Sequence, residues 1–299
     1  MSRGALDSPV SVPSEQAASP SSNPTFAIAF GGGGARGLAH IHVIEALNEL
    51  GITPVMISGA SIGAIMGAGM AAGLSGAEIR DHTLASIGKR GAIANRLWSL
   101  RPPTVRGAMK GGLRLGQFDL ERILRVFLPA LIPSDFCDLL IPLKVSMTDY
   151  YGQAEVVAES GDLYPVLAAS AAIPALFMPV RTHDRIMIDG GIFNPVPYEH
   201  LFGHADIVIG VDVVGAPEGD HDHMPNRFDS LFGAGQLMMQ SNIAMKLRLQ
   251  PPDIFLRPAV NRFRVLDFLK AREVLAASSG IKDELKRAVE TELNRRARL

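Results

Sequence analysis

Ser61 and the glycines around it are the residues best placed to do chemistry. Gly59-Ala60-Ser61-Ile62-Gly63 is a G-x-S-x-G pentapeptide between a short apolar run, Ile52 to Ile57, and a small, helix-compatible run, Ala64 to Ala72. At a strand-to-helix turn, flanking glycines allow a sharp backbone and keep bulk away from a serine hydroxyl. That is the position of a nucleophile. The pentapeptide alone is unspecific, because loops are rich in both residue types.

A second glycine loop lies upstream. Thr25 to Phe30 reads as a buried strand, Gly31-Gly32-Gly33-Gly34-Ala35-Arg36-Gly37 follows at once, and Leu38 to Leu50 has a helical pattern. Such a loop exposes backbone N–H groups at the positive end of a helix dipole and can hold a phosphate or a developing oxyanion. Gly32-x-Gly34-x-x-Gly37 fits the dinucleotide fingerprint, which also asks for an acid about 20 residues on. No Asp or Glu lies between Gly51 and Gly76. The G-x-S-x-G turn stands there instead, and a nucleophile one strand from an N–H-rich loop is the layout of an acyl-transfer site. Asp189 completes the set. It ends a short strand, Ile186 to Ile188, and precedes Gly190-Gly191; taken alone, that dipeptide reads as an ordinary turn.

With these three motifs in this order, the chain resembles the patatin-like phospholipases. The carriers are Gly32-Gly33-Gly34-Ala35-Arg36-Gly37, Gly59-Ala60-Ser61-Ile62-Gly63 and Asp189-Gly190-Gly191. The stretches 169–177 before the Asp and Asn194-Pro195-Val196-Pro197 after it support the match, which runs from about Thr25 to about Val214. The resemblance implies a three-layer α/β/α fold and hydrolysis of lipid carboxyl esters without a cofactor or metal. It implies a catalytic dyad, with Ser61 as nucleophile and Asp189 as its base. The glycine loop would form the oxyanion hole, from N–H groups near Gly33, Gly34 and Ala35, and Arg36 would hold the loop or an anionic head group. The implied partner is a phospholipid or another acyl ester.

Two other readings stay open. A Ser-His-Asp esterase would need a histidine after Asp189, and His200 and His204 have that order, although a short helix at Pro197 to Phe202 makes them surface residues. A non-catalytic or partner-activated protein would keep the same motifs without turnover. His40 and His42 sit about 200° apart on a helical wheel and make a poor chelate, although His40 falls close to the glycine loop. His221-Asp222-His223 lies in a polar loop without a third ligand.

The elements that must position these residues alternate. Strands are predicted at Thr25–Phe30, Pro54–Ile57, Leu143–Asp149, Glu155–Glu159, Ile186–Ile188 and Ile207–Val213. Helices are predicted at Leu38–Leu50, Ala64–Ala72, Ala77–Ile87, Phe118–Leu128 and Tyr164–Ala171, with more towards the C-terminus. That alternation predicts an α/β architecture, a largely parallel central sheet with helices on both faces, and a site beyond the C-terminal strand ends. The 299 residues divide into a Ser/Pro-rich tail at 1–23, expected to be disordered, and an acyl hydrolase domain at 24–299.

Within that domain, 82–118 carries no acid and seven basic residues interleaved with Trp98 and aliphatic side chains. It reads either as a lid that meets an anionic membrane or as a solvated insertion. The Met-rich stretch Leu231 to Leu249 reads as core or as an acyl-chain pocket, and Ile281 to Arg298 as an amphipathic packing helix. A formal net charge of −1 argues against nucleic acid as a partner. The single Cys137, without a cationic neighbour, reads as structural and fits a reducing compartment. No stretch has the length of a membrane span or the apolar core of a signal peptide. The expectation is a cytoplasmic location, with peripheral membrane contact left open.

Overall fold

A computed structural model describes residues 23–87, 120–182, 184–219, 222 and 224–298. Residues 1–22 of the tail predicted at 1–23, residues 88–118 of the basic stretch 82–118, with Trp98, and His221 and His223 lie outside the described residues. In chain order the elements are β1 (Phe26–Phe30), a 3-10 helix (Gly34–Ala39) leading into α1 (His40–Glu49), β2 (Met56–Ala60), α2 (Ile62–Ala71), α3 (Gly76–Ile87), α4 (Leu120–Phe127), β3 (Leu143–Asp149) and β4 (Ala154–Ala158). There follow α5 (Leu163–Ser170), β5 (Val180–Thr182), β6 (Arg185–Ile188), β7 (Ile207–Val211), α6 (Arg227–Leu249), β8 (Ile254–Leu256), α7 (Ala271–Ser278) and α8 (Ile281–Arg296).

The sheet is mixed. Strands β3-β2-β1-β7-β8 pair in parallel, and β4, β5 and β6 add antiparallel pairings at the β3 end. Phe-Ala-Ile-Ala-Phe in β1 and Ile-Val-Ile-Gly-Val in β7 are buried at every residue, as central parallel strands covered on both faces must be. Phe26, Ile28 and Phe30 belong to one core cluster with residues of α1, α2, α7 and α8. On the opposite face Ala27, Ala29 and Val208 pack with Tyr198, Leu201 and Ile243 of α6. Helices thus cover both sides of the sheet.

One strand sets the geometry of the site. β2 runs along β3 as far as the pair Ala60–Ser146, and β6 takes over beside β3 at Ile188–Thr148. Because β6 is antiparallel to β3, it runs towards the end of β2. Both strands stop in the gap beside Met147, so the residues that follow them, Ser61 and Asp189, face each other.

The second strand, Met56–Ala60, lies later in the chain than the predicted Pro54–Ile57. Ser58 and Gly59 look like turn residues, yet they pair with Ala29 and Phe30 of β1. The first helix begins as a 3-10 turn, and β5 and β8, three residues each, were not predicted. No described helix is long and apolar enough to cross a membrane.

Candidate active site

Ser61 sits between β2 and α2 at φ 54° and ψ −127°, a left-handed conformation that costs a non-glycine residue on the order of 1–3 kcal/mol. Its neighbours explain how the turn closes. A Cβ on Gly63 would stand 2.0 Å from the Phe30 carbonyl oxygen, and one on Gly59 would stand 2.6 Å from Ala64 N. Only glycine lets α2 fold back this tightly onto β1 and β2.

The Ser61 hydroxyl donates to Asp189 Oδ2 at 2.5 Å. Asp189 Oδ1 accepts from Gly191 N–H at 2.8 Å, within the 3-10 turn Gly190–Ile192. The Asp189 backbone is fixed at both ends: its N–H donates to Ala172 O (3.1 Å), and its carbonyl accepts from Thr148 Oγ1 (2.9 Å). Burial pushes the Asp189 carboxyl up to about 6, against the opposing pull of hydrogen bonds from Ser61 and Gly191. A carboxylate with a pKa close to neutrality, in contact with a serine hydroxyl, has the geometry and basicity of a general base.

Ser170, unassigned by the motifs, fixes the serine backbone. Its Oγ accepts from Ser61 N–H at 2.8 Å and donates to Ser146 O at 2.7 Å. The flanking alanines carry no signal for that role.

The glycine loop lies alongside, with Gly32 close enough that a Cβ there would meet Ser61 Cβ at 3.3 Å. Its donors are unequally available. Gly32 N–H donates to Pro195 O, and Ala35 N–H donates to Val265 O at 2.8 Å. Ala35 therefore leaves the expected donor set; Gly33 and Gly34 N–H remain. Arg36 is buried, and its guanidinium donates to Val213 O and Phe263 O at 3.1 and 3.0 Å, which holds the loop and leaves no reach to a head group. Gly37 abuts Ile62. His40 is fully buried and donates from Nε2 to Gly31 O at 2.9 Å; burial lowers its pKa to about 4, so the ring is neutral.

Among the described residues no histidine hydrogen-bonds to Ser61 or Asp189. His204 is exposed, near Lys144 Nζ (3.4 Å). His200 is half-buried rather than on the surface, and meets Glu155 Oε1 at 3.0 Å. Glu155, Glu199 and His200 offer ligand atoms within 4.8 Å of one another. The Lys246 ammonium already contacts Glu199 Oε2 at 2.5 Å and Asn194 Oδ1 at 2.6 Å, and supplies the positive charge a cation would bring.

A cavity of about 610 Å³ opens at Ser61 and Gly34, between α2, α3 and α4. Leu38, Ile62, Met66, Leu124 and Phe177 line it, while His82, Thr83 and Ser86 add polar groups on α3. Its size and apolar walls suit a ligand with a long hydrocarbon part. Met238 and Met245 lie elsewhere, exposed to solvent, so the Met-rich stretch is neither core nor cavity wall at those positions. Cys137 is exposed rather than structural; hydrogen bonding to Asp135 raises its pKa to about 11 and keeps the thiol protonated.

Comparison with known proteins joins this geometry to a family. An uncharacterized NTE family protein of Mycobacterium tuberculosis is 35% identical over 208 residues, 69% of this chain and 54% of that protein. The lysophospholipase NTE1 of Kluyveromyces lactis is 23% identical over 85% of this chain and 18% of its own length. The chain thus spans about half the length of its mycobacterial relative. Among solved structures, ExoU of Pseudomonas aeruginosa, determined with SpcU, matches with a TM-score of 0.43 and 14% identity, over 90% of this chain and 52% of that one. The family model for patatin-like phospholipase matches residues 28–202, a span that holds both glycine motifs, Ser61 and Asp189. The chain belongs to the patatin-like phospholipase family.

Proposed function

We propose that this chain is a lipid acyl hydrolase of the phospholipase A or lysophospholipase type, acting through a Ser61–Asp189 dyad. The direct 2.5 Å hydrogen bond between the two side chains carries the reading. As Ser61 Oγ attacks the ester carbonyl, Asp189 takes its proton. The N–H groups of Gly33 and Gly34, together with the N-terminus of α2, stabilise the oxyanion; each such donor is typically worth about 3–4 kcal/mol. Collapse of the tetrahedral intermediate breaks the C–O bond, and the alcohol leaves with the proton from Asp189. Water, deprotonated by Asp189, then attacks the acyl-enzyme and releases the fatty acid with Ser61 restored. The cavity beside Ser61 would hold the acyl chain.

The test compares initial rates of p-nitrophenyl ester hydrolysis, with a medium-length acyl chain, for wild type, Ser61→Ala, Asp189→Asn and His200→Gln. The dyad requires loss of activity in the first two variants and retention in the third. Loss in His200→Gln would restore the Ser-His-Asp reading, and a folded wild type without activity would favour a non-catalytic role.

A further inference from the structure

The face of α6 that points away from the sheet is unusual for a solvent-facing helix. From Ser230 to Met245 it carries no ionisable side chain. Leu231, Met238 and Met245 are 58%, 74% and 60% exposed. Seven residues advance an α-helix by two turns less about 20°, so these three side chains fall on one line, which Leu249 extends. A helix that meets only water normally places charge along such a line. Here charge is confined to the ends: Arg227 opens the helix, Arg248 closes it, and both are exposed. The single acid, Asp229, is held by Arg264 at 2.9 Å.

This stripe borders the candidate active site. Asn242, three residues before Met245, donates from Nδ2 to Phe193 O at 2.9 Å. That contact sets the exposed Ile192 and Phe193, on the loop that follows Asp189, along the flank of the helix. Met239 on the same helix lies 3.9 Å from where a Cβ on Gly191 would sit.

We propose that the Leu231–Met238–Met245 stripe of α6, with Ile192 and Phe193, is the surface by which the protein lies on a lipid bilayer. The inference rests on the lipid hydrolase reading, since it explains why an apolar face should adjoin the Asp189 loop. The charge pattern selects the partner. A second copy packed through this stripe about a two-fold axis would bring Arg227 against the partner's Arg227 or Arg248, with no free acid on the helix to offset them. A phospholipid surface meets the same pattern favourably: the stripe enters the interface and the terminal arginines reach head-group phosphates.

The experiment needs no turnover. Ser61→Ala protein is co-sedimented with phosphatidylcholine vesicles and with vesicles containing phosphatidylglycerol, beside the same protein carrying Met238→Glu and Met245→Glu or Met238→Leu and Met245→Leu. Thermal unfolding checks that each folds. The glutamate pair should lower vesicle binding about tenfold or more, and the leucine pair should keep it. Equal binding by all three folded proteins overturns the proposal. So does a wild-type dimer that the glutamate pair converts to monomer, which would assign the stripe to a second copy. Because ester hydrolysis is assayed separately, a failed docking surface and a failed hydrolase assignment give different results.

Discussion

Replacing Asp189 with Asn should inactivate the protein and make it more stable. Burial moves the Asp189 carboxyl from the ordinary 3.8 up to about 6. Between those values the folded state binds a proton that the unfolded chain has released, so stability falls as pH rises through that window and stays lower above it. At about 1.4 kcal/mol per pH unit, the penalty near neutrality is about 3 kcal/mol. Asn carries no charge and so none of this penalty. It also keeps both contacts: Oδ1 can accept from Gly191 N–H and Nδ2 can donate to Ser61 Oγ. Urea denaturation of the two proteins across pH 4 to 8 measures the difference. The variant should be more stable by about 3 kcal/mol at the alkaline end, with the gap closing towards pH 4. A gap that does not change with pH, or a less stable variant near pH 8, would refute the reasoning, because the native carboxylate would then carry no desolvation cost.

The same carboxyl predicts the pH–rate profile: kcat/KM on a soluble ester should rise with pH to a plateau, half-maximal near the Asp189 value of about 6, and a flat profile across that range would remove Asp189 as the base. Ser170→Ala strands the buried Ser61 N–H and takes the donor from Ser146 O; unfolding free energy should drop by about 1–3 kcal/mol, with a parallel fall in ester rate, and an unchanged rate would show that the serine turn holds without it. Gly63→Ala puts a methyl 2.0 Å from Phe30 O; thermal unfolding should show a loss of about 3 kcal/mol or more, and a wild-type melting temperature would mean that α2 can shift away from β1.

What the sequence revealed and what it hid follow from where the information resides. β1 and β7 were legible because strands covered on both faces are continuous apolar runs, and β3 was read to the residue, Leu143–Asp149. Ser61 and Asp189 were legible because the chain punctuates both with glycine at strand ends. That the Ala35 N–H is engaged is not legible locally, because a backbone donor has no side-chain signature; its partner, Val265, lies far along the chain. The Asn194–Glu199–His200–Lys246 network was invisible for a related reason, since Lys246 arrives from α6 and nothing local announces its partners. For α6 itself the pattern specified a helix, but methionine suits core, pocket and interface alike, so which face would be covered could not be read.

The rules broken at the site are those that local sequence can advertise. Ser61 takes a left-handed backbone, and Asp189 buries a charge. Each is unfavourable alone and persists because its surroundings over-determine it. The shared element is β3, which pairs first with β2 and then with β6, so the Ser61–Asp189 separation is set by two registers on one strand. A slip of one residue in either would move a side chain by about 3.3 Å and turn it to the other face of the sheet, which a 2.5 Å hydrogen bond cannot survive. Ser170 and Thr148 reinforce that register from the side, one binding the serine's N–H and the other the aspartate's carbonyl. The glycines make the strained turns possible, and the pairing along β3, which no short motif encodes, is what brings them together.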